Sequence, residues 1–179
     1  FEYLTNSGVA LEVSAISNPR FPLAESEQKK LVKLYLNDVG LLTNILYGLN
    51  VNAVLQDIKS INLGTVYESA VAQELAAHGF KLHYYDNKKK GEVDFLVDDL
   101  DNLTVLPIEI KSGKDYTDHS ALTKFLKTPD YGINYAIVLS NEREIFRKNG
   151  VTYLPIYYSM FLHSEHREVP VILPELETI

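Results

Sequence analysis

The chain has 179 residues, of which 46% are hydrophobic and 23% are charged, as in a folded domain with a buried core. Its net charge of −7 argues against a nucleic-acid surface that spans the whole domain. Because cysteine is absent, disulfides, zinc thiolates and thiol nucleophiles are excluded. The apolar runs are strand-sized and no signal peptide is visible, which predicts a cytoplasmic protein without a membrane span. Since the sequence begins at Phe1, we expect a piece of a longer chain.

The N-terminal part predicts one or two strands, a connection and then a helix. Residues 1–29 mix short apolar groups with Asn, Ser and Pro, and a short strand is predicted over 33–38. Asp38 is the predicted N-cap of the helix, which ends near Gly48. The apolar residues of this helix have helical spacing and are predicted to lie in the core. They are Leu41, Leu42, Ile45 and Leu46.

A second helix is predicted over 64–78, with Gly79 as the residue that follows its C-terminus. Val71 and Leu75 define the apolar stripe of this helix, and Glu68 lies on the same face as both. A carboxylate on an apolar stripe is unusual, so Glu68 is a candidate for a special role.

The rest of the chain alternates between strands and helices. Three strands joined by turns predict a meander over 80–85, 91–98 and 103–111. A helix over 117–127, strands over 135–140 and 151–156, a weak helix over 157–163 and a tail follow. This order predicts an α/β fold in which a mixed β-sheet is flanked by helices.

The second and third strands of the meander carry Asp94, Glu109 and Lys111. Because strand side chains alternate between faces, Glu109 and Lys111 are predicted to point to the same side. Val93 and Phe95 are predicted to face a core covered by a helix, so that Asp94 points away from it. A hairpin between the two strands would set the two carboxylates side by side.

Glu68 on the preceding helix is predicted to approach the same place. Buried carboxylates are costly unless they are paired or bound to a metal, so several that converge are best explained by a cation. Carboxylates beside an ammonium group suit a divalent metal that activates water against a phosphodiester.

Two other interpretations remain open for these charges. Each one taken alone is typical of a solvated strand face, and Glu109 with Lys111 can form an exposed ion pair. The charges can also form a structural ion cluster without a metal. That interpretation predicts that replacing Glu109 and Lys111 together by apolar residues barely harms folding.

The remaining polar motifs are weaker signals. The turn Lys88-Lys89-Lys90 precedes the Asp94 strand, so it is either solvated or in contact with a phosphate backbone. His163 and His166 have no third ligand nearby in the sequence, so a zinc site is not predicted. The other histidines are predicted to lie at the surface, namely His78, His83 and His119. No Walker A loop occurs, so this chain is not expected to hydrolyse ATP.

Glu68, Asp94, Glu109 and Lys111 follow the order helix Glu, strand Asp, strand Glu-x-Lys. This order resembles the motif of the PD-(D/E)XK nuclease superfamily, which implies a three-layer restriction-endonuclease-like core and a Mg²⁺ or Mn²⁺ ion. By that resemblance, Asp94, Glu109 and the Ile110 carbonyl would bind the metal. Glu68 would be an outer or additional ligand. Lys111 would orient or help deprotonate the attacking water and stabilise the transition-state charge.

Three segments, 33–42, 64–69 and 91–97, are similar to a more specific group. It is the domain of unknown function that follows the P-loop module in many prokaryotic AAA-type ATPases. The superfamily often has a proline before the Asp, where this chain has Val93.

The resemblance implies a nuclease-like domain over 30–163, preceded at 1–29 by a connector or the remnant of a winged-helix-like region. Residues 164–179 would be a C-terminal tail. The implied partners are DNA, an upstream ATPase module and another copy of the chain. A non-catalytic interaction platform for the ATPase remains the alternative function.

Overall fold

A computed structural model describes residues 2–48, 50, 52, 55–56 and 62–164. The helices are α1 (Glu2–Asn6), α2 (Val39–Tyr47), α3 (Gly64–Ala77) and α4 (Ser120–Leu126). The strands are β1 (Ala10–Ile16), β2 (Glu27–Leu36), β3 (His83–Asn87), β4 (Gly91–Asp99), β5 (Thr104–Lys111), β6 (Ala136–Ser140), β7 (Phe146–Lys148) and β8 (Val151–Pro155). Three 3₁₀ turns lie at Leu23–Ser26, Pro129–Tyr131 and Ile156–Phe161.

The eight described strands form one mixed sheet in the order β2-β1-β3-β4-β5-β6-β8-β7. β3, β4 and β5 are antiparallel neighbours, so the predicted meander is confirmed. Parallel pairs join β1 to β3, β5 to β6 and β6 to β8. β1 and the start of β2 lie within the predicted 1–29 connector and belong to this same sheet. The domain boundary at residue 29 stays a prediction.

Helices cover both faces of the sheet, which gives three layers. On one face Val71 and Leu75 of α3 share a core cluster with Phe95. On the other face Leu122 and Phe125 of α4 pack into a second cluster. Complete burial of side chains of this size stabilises the fold by about 1.5–3 kcal/mol each. None of the helices that the described residues form has both the length and the apolar character needed to cross a membrane.

The structure confirms the cap of α2 but not its predicted role. Asp38 Oδ1 accepts a hydrogen bond from the Leu41 backbone N–H at 2.9 Å, as an N-cap should. The core prediction for α2 is wrong, because the helix buries none of its residues. Leu41, Ile45 and Leu46 are exposed, since α2 packs mainly on β2, the outermost strand, and on α3.

A bulge in β4 overturns the predicted alternation around Asp94. Between Val93 and Leu96, β4 contains one more residue than the facing part of β3. As a result Val93 packs in the cluster on the α4 face and Phe95 in the cluster on the α3 face. The prediction that both face one core is therefore wrong. Bulges re-aim side chains, and Asp94 lies within this one.

The surface prediction is also wrong for His83, which lies in β3 and is only 1% exposed. Neither of its ring nitrogens has a hydrogen-bond partner among the described residues. Burial is the main cause that lowers the pKa of His83 below its ordinary value, so the fold holds the neutral imidazole.

Strand β7 is absent from the predicted elements and forms a hairpin with β8 at the sheet edge. The connecting residues Asn149 and Gly150 both have positive φ, at 51° and 81°. Two such residues make a type I′ turn, whose twist matches that of the flanking strands. The dipeptide Asn-Gly was the available sequence signal for this hairpin.

Gly150→Ala is expected to lower the free energy of unfolding by about 2–4 kcal/mol, measured by urea denaturation. A Cβ at this position would lie 2.4 Å from the Asn134 carbonyl oxygen, on a backbone whose φ is +81°. Gly132→Ala is the matched control, because Gly132 has φ +67° and nothing within 4 Å of its Cβ position. It should cost only the strain of about 1–2 kcal/mol. Equal losses in the two variants would show that the Asn134 contact does not matter.

Candidate active site

Two carboxylates meet where the ladder between β4 and β5 ends. The last described pair is Phe95 with Ile108, so the chain positions that follow are Asp94 and Glu109. Here the Asp94 side chain takes the place of a backbone carbonyl of β4. Its Oδ2 accepts a hydrogen bond from the Ile110 backbone N–H at 2.7 Å. The structure thus brings together the two carboxylates that the hairpin predicts.

Glu109 is buried, with 5% of its surface exposed, and its two oxygens have different surroundings. Oε1 lies 2.9 Å from the Nζ of Lys111, whereas Oε2 is buried and has no hydrogen-bond partner among the described residues. Burial raises the pKa of Glu109, and the hydrogen bond to Lys111 opposes this shift. A buried carboxylate oxygen without a partner is costly, so this atom has the capacity to hold a cation.

Asp94 is partly exposed and lies beside another carboxylate. Burial and then the charge of Glu109 raise the pKa of Asp94 to about 8, and the hydrogen bond from Ile110 works against them. Two neighbouring carboxylates that resist simultaneous ionisation share a proton at neutral pH when no cation is bound. A cation bound between the two carboxylates would favour the loss of that proton at neutral pH.

Lys111 is half-buried and remains charged. Burial opposes its charge, but the hydrogen bond and charge of Glu109 prevail and raise the pKa of Lys111 above its ordinary value. An ammonium group that is held protonated can stabilise negative charge but is a poor acceptor of a proton. The raised pKa of Lys111 therefore agrees better with the expected stabilisation of charge than with the expected deprotonation of water, and both roles stay predictions.

Glu68 reaches the neighbourhood of this pair from α3. Its Oε2 accepts a hydrogen bond from the hydroxyl of Tyr35 at 3.1 Å, and its charge contributes to the raised pKa of Asp94. Tyr35 is buried in β2, with its ring centroid 5.5 Å from that of Phe95. Burial, followed by the charge of Glu68, raises the pKa of Tyr35, so that it stays a hydroxyl donor. Tyr35 is a site residue that sequence reasoning missed.

Lys33 is a second missed residue, two positions before Tyr35 on the same strand. Its ammonium pairs with Glu92 and lies 4.8 Å from the ring centroid of Tyr84. Its positive charge also lowers the pKa of Asp94, although less strongly than the other causes act. Strand alternation places Lys33 and Tyr35 on one face of β2. This pattern could have identified both residues only if the position of β2 beside the site had been known.

The donor set fits a hard divalent cation with few protein ligands. Within the part of the chain that the structure describes, no group of three or more His, Asp or Glu side chains is placed to hold a metal ion. Mg²⁺ commonly binds through one or two carboxylates and completes its octahedron with water and substrate oxygens. Asp94 and Glu109 would supply two carboxylates, and the Oε2 atom of Glu109 has no other partner among the described residues. The assignments of the Ile110 carbonyl and of Glu68 as further ligands stay predictions.

The three turn lysines do not behave alike. The Nζ of Lys90 donates to Thr128 Oγ1 at 3.0 Å and to the Tyr131 hydroxyl at 3.2 Å, so it ties the turn to the fold. Lys88 and Lys89 are exposed. A contact with nucleic acid stays a prediction, and these two lysines are the ones whose ammonium groups could make it.

Of the two histidines in the predicted pair, His163 lies among the described residues. The ring of His163 lies against that of His78, with centroids 4.3 Å apart. Its predicted companion, His166, lies outside the described residues. His78 is partly buried and its Nδ1 lies 2.7 Å from the Leu162 carbonyl oxygen. These contacts are typical of histidines that pack against each other near the surface.

Comparisons with known proteins place the chain in a family. A family model described as a domain of unknown function (DUF4143) matches residues 63–158, which is more than half of the chain. No curated protein and no solved structure matches the chain. The matched part runs from α3 to the 3₁₀ turn after β8 and includes Glu68, Asp94, Glu109 and Lys111. The chain therefore belongs to the DUF4143 family of domains of unknown function.

Proposed function

We propose that this domain hydrolyses phosphodiester bonds in DNA, using a Mg²⁺ or Mn²⁺ ion held by Asp94, Glu109 and the Ile110 carbonyl. The observation that supports the proposal most strongly is the state of Glu109. Its carboxylate is buried beside a second carboxylate, with one oxygen on Lys111 and the other without a partner among the described residues. In a purely structural ion pair, burying that second oxygen without a partner would cost free energy and serve no function.

The residues have distinct roles in this proposal. When bound, the metal supplies Lewis-acid polarisation of the phosphate and of a nearby water. Lys111 stabilises the charge that develops on the phosphoryl oxygens. The Ile110 N–H fixes the orientation of Asp94, and the hydroxyl of Tyr35 fixes that of Glu68. Such fixed dipoles need little reorganisation during the reaction.

The proposal also includes the surroundings of the domain. An upstream P-loop ATPase module in the same cytoplasmic protein would move DNA past the site, and it would be joined to this domain ahead of β1, which belongs to the sheet. The exposed Lys88 and Lys89 would contact the phosphate backbone. Because the chain carries a net charge of −7, such contacts must be local.

Calorimetric titration with Mn²⁺ tests the site. Binding is expected for the wild type, and both Asp94→Asn and Glu109→Gln should remove it, because each takes away one of two ligand charges. Asp86→Asn is the matched control, since Asp86 is an exposed carboxylate on β3 and should leave the heats unchanged. Heats that are the same in all four proteins would dispose of the metal site.

A non-catalytic platform for an ATPase partner is the second candidate function. The exposed apolar side chains of α2, which include Leu41 and Ile45, favour this function. Apolar side chains that cluster on a surface are typical of a site that binds another protein. In that case Mn²⁺ can still bind, but no DNA is cut. Plasmid, branched and single-stranded DNA incubated with Mg²⁺ or Mn²⁺ separates the two functions by the presence or absence of product.

A further inference from the structure

A cavity of about 310 Å³ lies between α4 and the β7–β8 hairpin, on the opposite face of the sheet from α3. Its polar lining includes His119, Thr123, Lys127, Lys148, Asn149 and Tyr153. Leu126 and Val151 add apolar wall. The volume falls at the lower end of the range for small-molecule sites, about 300–1,000 Å³.

One side of the cavity is a single face of the α4 segment. His119, Thr123 and Lys127 follow one another at intervals of four residues, so their side chains project in the same direction. The imidazole of His119 is held at both nitrogens. Its Nε2 lies 2.6 Å from the Tyr153 hydroxyl, and its Nδ1 lies 3.2 Å from Thr123 Oγ1. The floor of the cavity is thus a fixed chain of three hydrogen-bonding groups.

The other side is built by the type I′ turn of the hairpin. Asn149 has a φ of 51°, the left-handed conformation that a type I′ turn requires and that asparagine adopts more readily than most residues. Lys148 and Asn149 line the cavity from the hairpin, and Lys127 lines it from the α4 segment. Phe146 stacks on Tyr153 with ring centroids 4.3 Å apart and an interplanar angle of 12°, which fixes the wall. The cavity is therefore preformed on both sides.

The charge of the cavity is opposite to that of the chain. Lys127 and Lys148 line it, while no Asp or Glu does among the residues described there. Neither lysine forms a salt bridge with a described carboxylate. In a chain with a net charge of −7, two unneutralised ammonium groups beside an imidazole and a hydroxyl make a local site for an anion.

We propose that this cavity binds a phosphate group carried by an organic body of nucleotide size. Lys127 and Lys148 hold the phosphate oxygens from opposite sides, and Thr123 and Asn149 complete the hydrogen bonds. The apolar wall formed by Leu126 and Val151 receives the organic part. The phosphate can come from a free nucleotide or from the end of a nucleic-acid strand. The second source depends on the proposed function, whereas the binding itself does not.

Calorimetry with thymidine 5′-monophosphate, in EDTA so that the metal site plays no part, tests the proposal. Binding is expected, and thymidine without its phosphate should not bind. Lys127→Gln and Lys148→Gln should each raise the Kd about tenfold, as expected for the loss of a charged hydrogen bond. Lys124→Gln is the matched control, because Lys124 lies exposed on the same helix and outside the cavity, and it should leave the Kd within about twofold.

Two strand ends identify the source of the phosphate. A short oligothymidylate with a 5′-phosphate that binds tighter than the mononucleotide, and tighter than its 5′-hydroxyl counterpart, assigns the cavity to a strand end. Equal binding of the two strands with retained binding of the mononucleotide assigns it to a free nucleotide. Absence of mononucleotide binding at millimolar concentration, or equal affinity in the wild type and both lysine variants, would overturn the proposal.

Discussion

Replacing Lys111 by Met is expected to lower the rate of metal-dependent DNA cleavage by about 10²–10³-fold, while Mn²⁺ still binds. The ammonium group lies 2.9 Å from Glu109, and its raised pKa keeps it charged at neutral pH. Methionine keeps the apolar stem and removes the ammonium group, with its charge and its contact to Glu109. Because the proposed mechanism has Lys111 stabilise the transition state without binding the metal, the loss should appear in kcat rather than in metal affinity.

Lys114→Met is the matched control for this experiment. Lys114 is an exposed lysine three residues farther along the chain, so its loss alters the same net charge without touching the carboxylate pair. Cleavage by that variant should remain within about twofold of the wild type. If Lys111→Met cuts DNA as fast as Lys114→Met, the lysine has no part in the chemistry. If no variant and no wild type yields product, the platform function stands.

The hairpin of β4 and β5, which carries Asp94 and Glu109, could be predicted from the sequence because local residue patterns determine it. Glycine and polar turn residues delimit β4 and β5, and alternating apolar residues set their faces. From these patterns alone, Asp94 and Glu109 were predicted to lie side by side, and the ladder between the strands leads to that placement. The mixed sheet between two helical layers follows from the same alternation of elements.

The parts that sequence reasoning missed depend on contacts between distant segments. Tyr35 acquires its role only because β2 lies near α3, so that its hydroxyl reaches Glu68 across 33 positions of the chain. The bulge at Asp94 is set by the pairing of β4 with β3, which no local pattern records. His83 is buried for the same reason, since it lies on β3 between two pairing strands.

The exposed face of α2 shows the limit of periodicity as evidence. Leu41, Ile45 and Leu46 have the spacing of a core helix, yet they remain exposed because α2 lies at the outermost strand. Periodicity predicts that a helix has an apolar face, but whether the fold covers that face depends on sheet order. Sheet order is a property of the whole chain.

Asp94→Asn is expected to stabilise the metal-free protein by about 1–2 kcal/mol at pH 8, while it removes metal binding. Burial and the charge of Glu109 raise the pKa of Asp94 from 3.8 to about 8, so the folded state retains a proton that the unfolded chain releases. The free energy of unfolding of the wild type therefore contains a contribution that is fully present below pH 4 and is lost as the pH rises towards 8. Asparagine keeps an acceptor for the Ile110 N–H and has no charge to repel Glu109.

Urea denaturation in EDTA at a series of pH values measures this contribution as the difference between the two proteins. The difference should be near zero at pH 4 and should grow towards pH 8, whereas the lowered pKa of His83 affects both proteins equally below about pH 6.5. Asp86→Asn should stay within about 0.5 kcal/mol of the wild type throughout. A difference that stays flat with pH would show that Asp94 is not held in a strained pair.

Adding Mn²⁺ should reverse the order of stability. A ligand that binds only the folded wild type stabilises it by about 2.7 kcal/mol at a concentration of 100 Kd, and the Asn variant gains nothing. The same substitution is then stabilising without metal and destabilising relative to the wild type with it. A structural ion cluster cannot produce this reversal, because it has no dependence on a cation. The sign of the change on adding Mn²⁺ therefore decides whether the neighbouring carboxylates of Asp94 and Glu109 bind a metal.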